Sequence, residues 1–175
     1  MPTIISGDGT ITGLVAGGLP DAIITQAELA TGVAGTGPAF SAYASTDQTP
    51  SANTWTKVNY NTEIFDTNNN YDPTTNYRFT PTVAGYYQLN CFVTFASNSA
   101  TNADTFLAVY KNGSIYSSVN GRALESRYSA LTVAIVVSAN GTTDYFEMYV
   151  KSSVTGYLAT NSTLGNFSGS LVRGA

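Results

Sequence analysis

The segment DTNNNYD sets Asp66, Asn68, Asn70 and Asp72 at alternating positions, the spacing of the first four ligands in a calcium-binding loop. Tyr71 then occupies the sixth position, where such loops need glycine, and Tyr77 the twelfth, where a bidentate glutamate should close the shell. Asx-rich turns have the same composition without metal, because short amide and carboxylate side chains bond their own backbone. These four residues are therefore weak metal candidates, and no metal is expected. Glu63 and Asp66 form the nearest carboxylate pair for glycoside hydrolysis, but a strand end and a turn account for them. The chain has no histidine and one cysteine, so the commonest general base is missing and Cys91 lacks an imidazole partner. Zinc sites fail for the same reason. No catalytic residue and no cofactor is expected.

Other chemistry is weaker still. Cys91 lies in an alternating apolar run and reads as a buried small hydrophobe. Asn-x-Ser/Thr triplets begin at Asn112, Asn140, Asn161 and Asn166, in a chain so rich in Asn, Ser and Thr that chance supplies them. Trp55 and the twelve tyrosines could stack on sugars, but in a β-sandwich most such rings become core or subunit contacts.

Composition bounds the elements that hold these residues. Charged residues are 10% of the 175, against about a quarter in ordinary domains. Asn, Ser, Thr and Gly replace them and disfavour helix interiors. A net charge of −4 with seven basic residues opposes a nucleic-acid groove and an amphipathic membrane contact. No apolar run reaches membrane-spanning length, and MPTIISGDGTITGL has no signal-peptide pattern, so cytoplasmic synthesis is expected.

Two parts separate near residue 37. Residues 1–37 hold eight glycines, no aromatic residue, and isolated apolar pairs: Ile4 and Ile5, Leu14 and Val15, Ile23 and Ile24. Thr25-Gln26-Ala27-Glu28 has capping-box spacing for one short helix ending at Gly32. Such a segment has no core of its own. The apolar pairs favour an arm that packs on a partner over a plain linker.

The second part reads as consecutive strands. They are expected at 39–44, 55–65, 77–80, 105–110, 114–118, 145–151 and 167–172, with Asn112-Gly113 and Asn140-Gly141 as turns. Within RFTPTVAGYYQLNCF, Pro81 and Gly85 bend the chain, and Tyr87, Leu89, Cys91, Val93 and Phe95 then share a face. Gly85 is expected to permit a backbone conformation that a side chain would hinder. Residues 130–137 are apolar on both faces, which predicts burial on both. About eight to ten short strands indicate an all-β, antiparallel jelly-roll sandwich.

Residues 38–175 resemble the C1q-type globular domain, the jelly roll shared with tumour necrosis factor. The resemblance rests on PAFSAYAS at its start, on Tyr60, Asp66, Tyr71, Phe79, Gly85, Tyr87 and Leu89 in order, and on Phe167, Gly169 and Leu171 in FSGSLV at its end. Tyr60 stands where the family usually has Phe, the Tyr71–Phe79 gap is one residue longer, and Leu89 and Cys91 replace two aromatics. The resemblance implies a homotrimer around a common axis. No collagen-like stalk is present in the sequence, and with the arm the chain is similar to bacteriophage virion proteins bearing such a domain. The expected role is then a virion decoration or cement protein, its arm on the major capsid protein or another virion component. The alternative is a fibre or spike tip recognising a host-surface glycan or protein, with a free-standing binding module third.

Overall fold

Alternation of period two builds the longest strands, and their edges and turns do the rest. The computed structural model describes residues 4–5, 11–12, 37–97, 102–123, 128–159 and 161–175. The chain divides into two compact units, Met1–Ala30 and Thr31–Ala175. In the first, β1 (Ile4–Ile5) and β2 (Ile11–Thr12) pair antiparallel, Ile4 opposite Thr12 and Ile5 opposite Ile11. Leu14, Val15, Ile23, Ile24 and the helix expected from Thr25 lie outside the described residues.

The second unit runs β3 (Ala39–Tyr43), β4 (Thr56–Lys57), β5 (Thr62–Asp66), β6 (Tyr71–Asp72), β7 (Arg78–Phe79), β8 (Gly85–Ser97), β9 (Ala103–Lys111), β10 (Ser114–Ala123), β11 (Tyr128–Ala139), β12 (Phe146–Ser152), β13 (Gly156–Ala159) and β14 (Gly165–Gly174). One sheet has the order β11-β8-β14-β3-β5, with β13 also on β8; the other has β10-β9-β12-β7-β6, with β4 also on β12. Every pairing is antiparallel, and no helix occurs among the described residues. This is the expected jelly-roll sandwich.

The core lies between the sheets. Tyr87, Leu89, Cys91, Val93 and Phe95 of β8 all point inward, meeting Leu107 and Val109 of β9 and Phe146, Met148 and Val150 of β12 in one buried cluster. Each such large side chain contributes roughly 1.5–3 kcal/mol by leaving water.

Two expectations need correction. Residues 55–65 are not one strand: β4 belongs to one sheet and β5 to the other. Val58 and Tyr60, buried where the chain passes between the sheets, keep the apolar alternation unbroken and hide the switch. Strand β11 buries Leu131, Val133 and Val137 but leaves Ala130, Ala134 and Val136 exposed, because no described residue of this unit covers its outer face.

The corner before β8 is held by named bonds. The Asn70 carbonyl accepts from the Thr80 amide at 2.7 Å, and the Asn70 side-chain oxygen accepts from the Thr82 amide at 3.1 Å. The Tyr87 hydroxyl donates to the Val83 carbonyl at 2.7 Å, pinning the strand start to the bend. Gly85 is needed for space: a Cβ there would stand 2.4 Å from the Arg173 carbonyl oxygen and 2.7 Å from Leu171 Cδ1. Its φ is outside the left-handed region, so the conformational reason expected from the sequence gives way to a close approach of β14.

Candidate interaction surfaces

The residues of calcium-like spacing turn toward their own backbone. Asp66 accepts from the amides of Asn68 at 3.2 Å and Tyr71 at 2.7 Å, one on each carboxylate oxygen. Asn68 accepts from the Thr67 hydroxyl, and Asn70 spans to Thr82. Asp72 accepts from the amides of Thr74, Thr75 and Asn76 and from the Asn76 side chain. The Thr75 amide above all, with Thr74 and Asn76, holds the Asp72 carboxyl well below the usual carboxylate range. Glu63 is exposed, and partial desolvation followed by the charges of Asp66 and Asp72 raises its pKa. No cluster of three or more metal-ligating His, Cys, Asp or Glu side chains occurs among the described residues.

The aromatic motif residues meet inside the sandwich. Phe40 stacks on Tyr71 at 5.0 Å and on Phe79 at 4.4 Å between centroids, with Phe167 edge-on at 4.8 Å. Phe79 packs edge-on against Tyr87, and Gly169 lies opposite Leu89 in register. Leu171 is buried beside them. The Tyr60 hydroxyl lies 3.1 Å from the Phe92 carbonyl and 3.0 Å from Cys91 Sγ. The carbonyl can only accept, so the tyrosine proton goes there and the Cys91 thiol donates to the phenol oxygen. Burial pushes the Cys91 thiol up to about 12, against a smaller lowering by Tyr60. A thiol so placed is not a nucleophile at neutral pH.

The outer faces of the two sheets differ. Strands β3, β8, β11 and β13 contain no charged residue, and β14 only Arg173. Register aligns Ala134, Asn90, Ser168 and Ser41 in one outward row, and Val136, Gln88, Ser170 and Ala39 in the next. Val136 is 51% exposed and Tyr86 and Val172 are 48% exposed. Away from Arg173 and from β5, which holds Glu63 and Asp66, this face is uncharged and partly apolar. Depletion of charge is what distinguishes the centre of a protein–protein contact from ordinary surface.

The other sheet carries most of the charge. Register places Arg78, Glu147 and Tyr110 in one outward row, Lys57, Tyr149 and Ala108 in the next, and Lys151 beside Phe106 in a third. Tyr110 and Tyr149 stack at 3.9 Å, and Trp55 meets Phe106 and Tyr110 edge-on at 6.1 Å. Lys151 Nζ stands 4.7 Å from the Phe106 ring centre and 5.2 Å from that of Trp55. Lys57 pairs with Glu147 at 2.6 Å. Trp55 is thus an outer-face residue and not one of the core rings. The outward alternation Phe106-x-Ala108-x-Tyr110 and Tyr145-x-Glu147-x-Tyr149-x-Lys151 was the sequence signal for this face. Beside it opens a basin of 510 Å³ lined by Asn69, Asp72, Asn76, Arg78, Thr80 and Thr82 among others.

Neither the family models nor the curated proteins give a match to this sequence. Solved structures do match in fold. The globular domain of zebrafish complement 1qA protein is 18% identical with a TM-score of 0.52, over 79% of this chain and 99% of that one. Eiger TNF from S. frugiperda is 7% identical with a TM-score of 0.55, over 79% and 92%. PRD1 vertex protein P5 is 12% identical with a TM-score of 0.54, over 78% and 97%. The fold is that of the C1q and TNF jelly rolls.

Proposed function

We propose that this chain is a structural component of a bacteriophage virion, in which three jelly rolls form a knob and residues 1–37 anchor it to the particle. The observation that carries the reading is the open face of the β11-β8-β14-β3 strands, which between them hold one charged residue, Arg173. A single chain that leaves Val136, Tyr86 and Val172 in water, with hardly a charge around them, is built to meet copies of itself. The likeness of fold to a vertex protein accords with a place on a particle.

Decoration of the head is the placement proposed first. The apolar pairs of residues 1–37 suit an arm lying across the major capsid protein. Linking three modest arm contacts through one trimer raises their effective concentration and turns weak docking into lasting attachment. Removing residues 1–37 should leave a folded trimer that no longer sediments with particles; sedimentation unchanged by the deletion would overturn the anchoring role. Immunogold labelling of particles with antibody to residues 38–175 separates the placements. Label over the head supports decoration, and label confined to the tail supports the host-binding tip. That second reading is favoured by one observation, the aromatic and cationic outer face of the opposite sheet.

A further inference from the structure

The basin, lined mainly by amide and hydroxyl side chains with Asp72 at its edge, and the ladder of rings and cations beside it share one residue. Arg78 belongs to both. It lines the basin, and its guanidinium carbon stands 4.4 Å from the Tyr145 ring centre. Stacking covers one face of a guanidinium but leaves its in-plane N–H fork free, the geometry that grips a carboxylate with two parallel bonds. No carboxylate of the described residues forms an ion pair with Arg78, nor with Lys151; the two ion pairs present are Lys57–Glu147 and Lys111–Asp144. The ladder therefore holds two cations outside any ion pair; register sets Arg78 between Glu147 and Asp72, but Glu147 is taken by Lys57 and the Asp72 oxygens by the amides of their own turn.

We infer that the outer face of the β10-β9-β12-β7-β6 sheet binds an acidic oligosaccharide, with one sugar carboxylate on Arg78 at the basin and a second on Lys151. The rings suit the apolar faces of sugar units. Tyr110 and Tyr149 are fixed by their mutual stack, Trp55 and Phe106 by their edge contact, so little side-chain freedom is lost on binding. The Arg78 row and the Lys151 row are four residue steps apart along β12, about 13 Å at the usual strand rise, which calls for an oligomer and not a single sugar. The basin supplies further polar groups for hydroxyls: the side chains of Asn69 and Thr80 line it and are not engaged with other described residues. Single-stranded nucleic acid uses rings and cations too, but it needs a cation track along every phosphate, and two cations in an acidic chain do not provide one. The site lies within one subunit and does not depend on where the knob sits on a particle.

Trp55 is the single tryptophan of the chain and sits on the ladder, so its emission reports binding directly. The full-length protein would be titrated with oligogalacturonate, with a neutral glucose oligomer of matched length, and with oligothymidylate. The uronate oligomer should change Trp55 emission saturably, less so as salt is raised, while the other two leave it unchanged. Arg78→Gln and Lys151→Gln should each weaken uronate binding about tenfold, the loss of one charge-assisted contact. Lys151 is a surface side chain, so its variant keeps the test open if Arg78→Gln disturbs the loop; melting curves check both. A flat titration, equal response to the neutral oligomer, tighter binding of oligothymidylate, or folded variants that bind as the parent does would each overturn the inference.

Discussion

Tyr60 and Cys91 are each a departure from the family pattern, and the structure joins them in one buried hydrogen bond. Replacing Tyr60 by Phe leaves the Phe92 carbonyl and the thiol without their partner, which should cost about 1–3 kcal/mol in chemical denaturation. The loss should shrink when Cys91 is already Ala, because part of it is the shared bond, and a double-mutant cycle measures that coupling. High pH tests the same cluster. Burial raises Tyr60, Tyr71 and Cys91, and Tyr87 to about 12. A raised acid contributes stability fully below its unfolded pKa and loses it as pH climbs toward the folded value. Melting temperature should therefore fall from about pH 9–10 upward, where unfolded Cys and Tyr ionise. The inward positions of these residues were legible as periodicity and motif. Their bond was not, because 31 residues separate the two and no local rule connects them.

The long strands β8, β9, β11 and β12 were legible because alternation persists over many residues; β7 fell within the strand expected at 77–80, β4 was merged with β5, and the two-residue β6 had no pattern to mark it. The Asn112-Gly113 turn was legible too, and its geometry is as the type I′ hairpin demands, with φ of 53° and 80°. Gly113→Ala should destabilise the β9–β10 hairpin by about 1 kcal/mol, since a side chain resists that φ. What the sequence hides is that both Asn-Gly turns hang on Asp144. It accepts from the Asn112 side chain at 2.7 Å, from the Asn140 amide at 3.0 Å and from Lys111 at 2.9 Å. The Asn112 bond chiefly, then Lys111 and Asn140, lowers its pKa. A depressed carboxyl gives its stability above the unfolded pKa and loses it as pH falls. Melting temperature should hold from neutral down to about pH 4 and drop below it, and Asp144→Asn should flatten that drop.

Across the whole unit, most of the few charges lie on one sheet, while the other holds only Arg173 and the two acids of its edge strand β5. The absence of charge was legible strand by strand; which face stays open was not, because it needs the register that aligns Val136 with Gln88 and Ser170. Lysine at an outward position costs the folded subunit little but must be buried unpaired if that face meets its copies. If the parent forms the proposed trimer through this face, Val136→Lys should give a folded monomer by light scattering; a trimer of unchanged mass would place the contact elsewhere. Cys91 offers a clock on the same assembly. It sits mid-strand in β8, between β11 and β14, and is 2% exposed. A thiol-specific dye can reach it only when a whole sheet comes away, so the labelling rate counts openings of the native state. If subunits must part before a sheet can open, that rate slows as protein concentration rises. A stopwatch and one cysteine then report how long the knob stays closed.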